Sequence, residues 1–472
     1  MSPRWNLARA IIDRAAERPG LLVGTVDDPL SLADALGVAA GRARTLLETG
    51  LNPGTPVALV ASTSTSYLVT WLACVLAGLP VALVNPTYPE ELLRQMLAPL
   101  APARVLGEAA IAETRSAPRG DPELLPGVDA DRLGVVSYMH TSGTTGVPKF
   151  CAQSHEYFRR LAAAMGGALE LRSEDRVLAP LPLFHINPMG YGVITAVLAG
   201  ADVLNVRRFS ASGFWPAVRG ERITVLVLHA PPVEILKRAT TPVDAAGHAV
   251  RSMFYADRSF LRTFGVPAAV SGYGSTEAGG ISHVKQWSAA DDLPPDAGRH
   301  GGHGRDDIEW RVDGDGGIWL RERHPGAIFS GYVTPSGLDR AVDGEGWFET
   351  GDLGRVETSR ELVFLERGSE SIRVKGEFVP IPYVEDRLAG LPGVRDHALW
   401  KRPGALVDDD VVLFAVADHV PLDELRARVA DLPPFMRPVA VARVAALPRD
   451  AAAGKVQRRL LTPDRVIDWI EL

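Results

Sequence analysis

Cysteine and lysine are both scarce in this chain of 472 residues. The two cysteines, Cys74 and Cys151, exclude a disulfide framework and any metal site built from several cysteines. They fit a reducing compartment, so we expect a cytoplasmic protein. Only six of the 50 basic residues are lysines. A lysine that stands inside a motif is therefore less easily explained as a chance surface residue.

An excess of positive charge and a long apolar run are also missing. The formal net charge is −7, so bulk electrostatics favours neither a nucleic acid nor an anionic membrane as a partner. The most apolar uncharged stretch, residues 68–84, contains Gly78 and Pro80 and is shorter than the ~20 residues of a membrane span. We expect a buried helix and a buried strand there. Arg9 and Arg14 near the N-terminus do not fit a signal peptide.

The sequence does contain a regular alternation of helical and apolar segments. A helical stretch at 32–49 is followed by short apolar runs at 56–61, 80–85 and 133–139. A second alternating block covers 200–272, with strands expected at its interior apolar runs. Apolar strands separated by helices predict an α/β fold with a largely parallel sheet.

The pattern changes after this block. Residues 291–304 are rich in Asp, Pro, Gly and His without any period, which predicts a loop or a junction. Short alternating runs at 308–312, 317–321 and 362–365 are separated by Asp-Gly pairs. They predict antiparallel hairpins and a small β-rich subdomain.

The C-terminal hundred residues carry helix and strand signals of their own. We therefore expect two domains. Residues 1–366 would form a large N-terminal domain of layered α/β subdomains with the small β-rich subdomain, and residues 367–472 would form a small α+β domain.

The first chemical motif is Thr-Ser-Gly-Thr-Thr-Gly-Val-Pro-Lys at 141–149, directly after an apolar run. Small residues let backbone N–H groups approach an anion closely, the hydroxyls add donors, and Lys149 adds a positive charge. Seen alone, the loop could also be a flexible linker. It is not a Walker loop, because its glycine spacing differs and Phe150 follows the lysine.

Further motifs follow in order along the chain. They are Leu-Pro-Leu-Phe-His-Ile-Asn at 181–187, Gly-Tyr-Gly-Ser-Thr-Glu at 272–277, Gly-Trp-Phe-Glu-Thr-Gly-Asp at 346–352, Arg367, and Gly-Lys at 454–455. With the 141–149 loop they resemble the motifs of the AMP-forming adenylating superfamily of acyl-CoA synthetases, peptide adenylation domains and luciferases. The resemblance covers nearly the whole chain.

The resemblance implies an ATP site with Mg²⁺. Its ATP-binding residues would be Thr141, Ser142, Gly143, Thr144, Thr145, Gly146, Lys149, Tyr273, Gly274, Ser275, Asp352 and Arg367. Its catalytic residues would be Thr276, Glu277 and Lys455, with Glu277 also the metal ligand through a hard oxygen. The Tyr273 ring could lie against a purine, and the Asp352 carboxylate could accept hydrogen bonds from the ribose hydroxyls. Taken alone, the same residues would be a core tyrosine, a helix-start glutamate and a turn aspartate.

The resemblance also implies an acid-binding pocket and a mobile C-terminal lid. The pocket residues would be His185, Asn187, His229, Phe254, Tyr255 and Gly272. Ser369 would be the hinge, where the family has an acidic residue or lysine, and Gly376 would line the acceptor channel. Phe254 and Tyr255 stand near a Gly-Gly-Ala strand of the family, so we expect a small acid pocket. Alternatively, the alignment slips there and both rings point into the core.

Chemistry leaves the identity of the acid open. A carboxylic acid with a pKa near ~4 is already an anion at neutral pH, so its attack on the α-phosphorus needs no general base. The leading hypothesis is adenylation of a small acid and transfer to CoA or a carrier thiol. A second is activation of nitrite for attack by an aryl amine. A third, a non-catalytic nucleotide-binding relative, is disfavoured by Lys149, Glu277, Asp352 and Lys455.

Overall fold

The computed structural model describes residues 5–141, 147–367, 371–374, 376–404, 409–449 and 456–472, with only the backbone at 366 and 367. The α-helices are α1 Leu7–Glu17, α2 Leu32–Glu48, α3 Thr65–Ala77, α4 Glu90–Leu97, α5 Glu108–Ala112, α6 His155–Ala168, α7 Thr195–Ala199, α8 Ala211–Gly220, α9 Ala230–Ala239, α10 Pro242–Ala245, α11 Arg258–Phe264, α12 Ile381–Leu388 and α13 Leu422–Val429. Other helical turns are a π-helix at Asn187–Ile194 and 3₁₀ turns at Glu113–Ser116, Pro122–Leu124, Pro126–Asp129, Ala297–Arg299, Pro434–Met436, Arg458–Leu460 and Pro463–Arg465.

The strands alternate with these helices in the first half of the chain and cluster in the second half. They are β1 Leu22–Thr25, β2 Asp28–Ser31, β3 Val57–Val60, β4 Val81–Val84, β5 Arg104–Gly107, β6 Val135–Thr141, β7 Lys149–Ser154, β8 Arg176–Ala179, β9 Asp202–Asn205, β10 Val225–Val227, β11 Ser252–Phe254, β12 Ala268–Tyr273, β13 His283–Ser288, β14 His300–Gly304, β15 Ile308–Val312, β16 Gly317–Glu322, β17 Gly331–Thr334, β18 Gly337–Asp339, β19 Phe348–Val356, β20 Leu362–Arg367, β21 Ile372–Val374, β22 Glu377–Val379, β23 Val394–Pro403, β24 Asp409–Ala417, β25 Ala440–Val444 and β26 Val466–Glu471.

The chain divides into two compact units. The first unit consists of Met1–Pro86, Pro99–His140 and Phe150–Glu366. The second unit consists of Thr87–Ala98, Thr141–Lys149 and Arg367–Leu472. Two short N-terminal segments therefore belong to the second unit, which sequence patterns alone did not indicate.

The first unit is built on two large sheets. Among the described residues, one sheet has 13 strands in the order β15-β16-β19-β20-β14-β13-β12-β11-β10-β8-β9-β1-β2. Strands β8 to β12 pair in parallel within it, and β12 to β20 continue it with antiparallel pairs. The other sheet has the order β18-β17-β7-β6-β4-β3-β5, again over the described residues. Mixed α/β layers of this kind confirm the predicted fold class.

Helix α3 shows how the local sequence sets the core of the first unit. Ser64 accepts a hydrogen bond from the Tyr67 backbone N–H at the start of the helix, and Gly78 ends it with a left-handed φ of 69°. Every residue between Thr65 and Ala77 is buried except Ser66. A helix buried on all sides carries no polar face, which explains the uncharged run seen in the sequence. Strand β4 follows it, as predicted.

The second unit contains a sheet with the order β23-β24-β25-β26 and a two-stranded ribbon of β21 and β22, as far as its residues are described. Strand β24 pairs with β23 in antiparallel and with β25 in parallel fashion. Its buried residues Val411–Ala415 form the centre of this sheet. Helices α12 and α13 complete a small α+β unit.

One expectation is wrong in part. Residues 291–304 were expected to form an irregular segment, but residues 300–304 form strand β14 between β13 and β20. Three of these five residues are glycines, so no alternation of side chains marks the strand. Gly302 has a φ of +78° at a register shift, and an added Cβ would lie 2.3 Å from the Val284 carbonyl oxygen. Tertiary pairing, not local pattern, makes this segment a strand.

No described helix is long and apolar enough to cross a membrane.

Candidate functional site

The carboxyl ends of the central parallel strands bring together most of the predicted residues of the first unit. Strand β11 ends at Phe254 and β12 ends at Tyr273, and the two strands pair in parallel. Ligands of open α/β sheets bind at this edge of the sheet. The sheet therefore presents the residues predicted for acid binding and for adenine binding side by side.

Tyr273 and Asp352 are joined directly. The Tyr273 hydroxyl donates a hydrogen bond to Oδ2 of Asp352 over 2.8 Å, and both side chains are buried. The Tyr273 ring lies nearly parallel to that of Phe364, with centroids 5.9 Å apart. The Thr350 hydroxyl accepts from the Asp352 backbone N–H at 3.2 Å. The residue predicted for the purine thus holds the residue predicted for the ribose.

Glu277 lies in the loop after β12, with its side chain buried. Its Oε1 accepts a hydrogen bond from the Tyr332 hydroxyl at 3.2 Å, and its backbone carbonyl accepts from the Phe329 N–H. Among the described arginines and lysines, none forms an ion pair with it. Its carboxylate offers the hard oxygen ligands that Mg²⁺ prefers.

The end of β12 and the start of the loop lie too close to residues 280 and 281 to carry side chains at two positions. A Cβ on Gly274 would lie 2.1 Å from the Gly280 carbonyl oxygen, and one on Gly272 would lie 2.4 Å from Ile281 Cδ1. Ser275 Oγ accepts from the Ala278 N–H at 3.1 Å and so closes the turn. The predicted Gly-Tyr-Gly-Ser-Thr-Glu segment is therefore a tightly folded loop rather than an open one.

Two of the predicted acid-pocket residues lie in or next to the π-helix. His185 precedes the π-helix, and its ring contacts the Phe184 ring with centroids 4.7 Å apart. Asn187 begins the π-helix, and its Nδ2 donates to the Leu228 carbonyl at 3.2 Å. Short π segments occur frequently at functional sites. His229 lies just after Leu228, as the residue before α9.

Phe254 and Tyr255 diverge in the structure. The Phe254 ring meets the ring of Tyr191 in the π-helix edge-on, with centroids 5.1 Å apart, and Phe254 is 7% exposed. Tyr255 instead packs at Gly298, where an added Cβ would lie 2.3 Å from its ring. Burial raises the pKa of Tyr255 to about 12. Of the two rings, Phe254 is the one that packs against the π-helix that begins at Asn187.

The remaining predicted residues belong to the second unit or to its boundary. Thr141 ends β6 and is buried, and Lys149 begins β7. Gly376 lies in the turn between β21 and β22 with a φ of +87°, and its carbonyl accepts from Arg373 Nε at 3.2 Å. Arg367 ends β20, with only its backbone described.

Seven predicted residues lie outside the described residues: Ser142, Gly143, Thr144, Thr145, Gly146, Ser369 and Lys455.

Sequence reasoning missed four residues that hold the Glu277 loop. They are Tyr157, Tyr191, Arg305 and Tyr332, whose side chains donate to the loop backbone or to Glu277 itself. They come from separate elements, and no local pattern distinguishes them from core or surface residues. Only Tyr191 carried a signal, since it follows the 181–187 motif by one helical turn.

Known proteins resemble this chain over most of its length. The sequence profile of the AMP-binding enzyme family matches residues 29–331. 4-Coumarate–CoA ligase 5 of Oryza sativa subsp. japonica is 27% identical over 503 residues, covering 95% of this chain and 92% of that protein. A medium/long-chain-fatty-acid–CoA ligase of Mycobacterium tuberculosis is 28% identical over 480 residues, covering 87% of this chain and 79% of that protein.

Solved structures show the same fold. A double mutant of o-succinylbenzoate CoA synthetase from Bacillus subtilis, bound with a product analogue, matches with a TM-score of 0.83 at 20% identity. The match covers 96% of this chain and 97% of that one. MatB from Rhodopseudomonas palustris matches with a TM-score of 0.66 at 21% identity, covering 97% and 98%.

Proposed function

Because the chain belongs to the AMP-binding enzyme family, we propose that it adenylates a small carboxylic acid and passes the acyl group to a thiol. The family resemblance read from the motifs is confirmed, and the chain is an AMP-forming ligase of the acid–CoA ligase type.

One observation carries the proposal: the bond between Tyr273 and Asp352 beside the Glu277 loop. A buried carboxylate held by a neighbouring hydroxyl is a suitable acceptor for a ribose. It stands next to a loop whose one carboxylate has no positive partner among the described residues. This arrangement suits a nucleotide whose phosphates carry Mg²⁺, which Glu277 could then bind.

The residues fit a magnesium ion held partly by its substrate. No group of three or more His, Cys, Asp and Glu residues lies together in the part of the chain that the structure describes. A cage made by protein ligands alone is therefore not formed by these residues. Mg²⁺ is commonly bound through one or two carboxylates plus substrate phosphates, which matches Glu277. When bound, the ion would neutralise phosphate charge.

The proposed reaction has two steps. A carboxylate oxygen of the acid attacks the α-phosphorus of ATP, and pyrophosphate leaves with the electrons of the broken P–O bond. The protein positions both reactants, and Lys149 and Lys455 would offset the phosphate charge. A thiolate, from CoA or a carrier, then attacks the acyl carbon and releases AMP.

The contact of Phe254 with Tyr191 supports a small acid. Ring atoms occupy space beside the Asn187 segment, and the centroid distance of 5.1 Å leaves no gap between the two rings. A long acyl chain would have to displace a buried phenylalanine, which costs packing energy. We therefore propose an acid with a short or compact acyl group.

ATP–pyrophosphate exchange tests the proposal. The panel should contain acids of graded size, from acetate through small aromatic acids to palmitate, together with nitrite, each with and without CoA. Exchange with a small organic acid, followed by CoA-dependent release of AMP, is the expected result. Exchange with nitrite alone would favour the inorganic alternative. If no acid of the panel supports ATP–pyrophosphate exchange, the result contradicts adenylation.

A further inference from the structure

Two tyrosines hold the backbone of the Gly274–Ile281 loop, which carries Glu277. The Tyr157 hydroxyl donates to the Thr276 carbonyl at 3.0 Å. The Tyr191 hydroxyl donates to the Gly280 carbonyl at 2.7 Å. Both tyrosine side chains are buried. The Tyr191 bond is buried at both ends and is therefore costly to lose, whereas the Tyr157 bond ends on the half-buried Thr276.

Arg305 holds the same loop from a third direction. Its Nη1 donates to the carbonyls of Gly279 at 3.1 Å and Ile281 at 2.8 Å. Its other nitrogens are paired with Asp307 at 2.9 and 2.7 Å. The loop backbone is therefore held on several sides.

The π-helix that carries Tyr191 has little room to shift. A Cβ on Gly190 would lie 2.7 Å from Leu161 Cδ2, and one on Gly192 would lie 2.5 Å from the Cβ of Ala179. Such close approach to helix α6 and strand β8 holds the backbone on both sides of Tyr191. Because the backbone is held, the Tyr191 ring and the hydroxyl attached to it can only move together as one rigid group.

The two tyrosines differ in what their rings touch. The Tyr191 ring packs edge-on against Phe254, with an interplanar angle of 81°. The Tyr157 ring instead packs edge-on against Phe158, with centroids 5.3 Å apart. Of these two tyrosines, Tyr191 is the one whose ring also contacts Phe254, in the wall of the proposed acid pocket.

We propose that Tyr191 is a positioning residue that couples the acid pocket to the Glu277 loop. An acid that packs on Phe254 restrains the Tyr191 ring, and the same side chain restrains the Gly280 carbonyl. Binding of the acid and binding of the magnesium nucleotide then favour each other, by the same factor in both directions. This inference rests on the proposed function, because it assumes that an acid binds beside Phe254.

The test compares Tyr191→Phe with Tyr157→Phe, a matched control that removes the same hydroxyl from another carbonyl of the same loop. Calorimetry measures the affinity of the acid most active in exchange, with and without Mg²⁺ and α,β-methylene-ATP, whose bridging carbon prevents cleavage. We expect the nucleotide to raise acid affinity about fivefold or more in the unmodified protein. In Tyr191→Phe we expect the nucleotide to change acid affinity by less than about twofold. In Tyr157→Phe we expect most of the increase in acid affinity to remain.

A second variant tests the other end of the link. Phe254→Leu removes the ring contact while the Tyr191 hydroxyl remains, so it should lower the same factor even if Tyr191→Phe folds poorly. Retention of the full factor in both Tyr191→Phe and Phe254→Leu would overturn the inference, although the proposed function would stand. Equal loss in Tyr157→Phe would also overturn it. Absence of exchange with every acid would remove the proposed function and this inference together.

Discussion

The hydroxyl of Tyr273 donates to Oδ2 of Asp352 over 2.8 Å, across 79 residues of sequence. The bond is buried and its acceptor is a carboxylate. A hydrogen bond to a charged group contributes about 1.5–3 kcal/mol. We expect Tyr273→Phe to weaken AMP binding roughly tenfold or more, because Asp352 loses the group that holds it.

Calorimetric titration with AMP measures this effect. Asp352→Asn serves as the second arm of a double-mutant cycle, since it keeps the shape of the side chain and removes its charge. Non-additive losses would show that the two residues act together. Unchanged AMP affinity in Tyr273→Phe would contradict the assignment of this pair to the nucleotide.

Phe254→Ala should enlarge the acid pocket. Truncating a buried phenylalanine costs about 3–5 kcal/mol of stability, and the space beside Tyr191 becomes open to the acyl group. We expect exchange with longer or bulkier acids to rise relative to the smallest substrate. Tyr255→Ala is the matched control, because that ring packs at Gly298 instead. If both variants broaden the range equally, Phe254 has no special role.

Glu277→Gln should raise the magnesium requirement of adenylation. The substitution keeps a similar shape and removes the negative charge that suits a divalent cation. We expect the Mg²⁺ concentration at half-maximal exchange to rise about tenfold or more. Glu309→Gln, on a surface carboxylate paired with Arg321, should leave it unchanged. An identical magnesium profile for both variants would remove Glu277 from the metal site.

Lys455→Ala should reduce exchange by about a hundredfold or more, because a positioned charge on the phosphates is lost. Lys401→Ala is the control in the second unit, since Lys401 pairs with Asp409 at 3.3 Å. Acyl transfer from a preformed acyl-AMP to CoA should be less affected than adenylation. Exchange at the normal rate in Lys455→Ala would exclude this lysine from the first step.

His155 should make the first unit less stable in acid. Burial lowers the pKa of His155 to about 4, and its Nδ1 accepts from the Leu7 N–H at 3.0 Å. As the pH falls, His155 therefore binds a proton near pH 6.5 in the unfolded chain but only near pH 4 in the folded chain. Stability is fully present above that window and is lost as the pH falls through it, at about 1.4 kcal/mol per pH unit.

Denaturant unfolding between pH 7 and 4 measures this loss. The slope of the unfolding free energy against pH gives the number of protons taken up on unfolding. In His155→Gln this number should be smaller by one, even if the variant is less stable at every pH. A slope equal to that of the unmodified protein would show that His155 does not titrate in this window.

The sequence motifs were sufficient to predict the family and the general fold. Six short segments in order indicated the AMP-forming superfamily, and the family profile confirms it. Helix α3 and strand β4 were readable because burial on all sides leaves an uncharged run. Strand β14 was not readable, since its glycines form a strand only through pairing with β13 and β20. The roles of individual site residues stay predictions.

The sequence by itself determined the chemistry that the chain can offer: a glycine-rich loop with lysine, a tyrosine between glycines, and scattered acidic residues. These depend on residue type and short spacing, which a linear chain displays directly. Only the tertiary structure decided which residues meet. Tyr273 reaches Asp352, Tyr191 joins Phe254 to Gly280, and Tyr255 packs at Gly298 instead of the π-helix. Such contacts arise from packing and strand register across long sequence separations, on which local patterns carry no information.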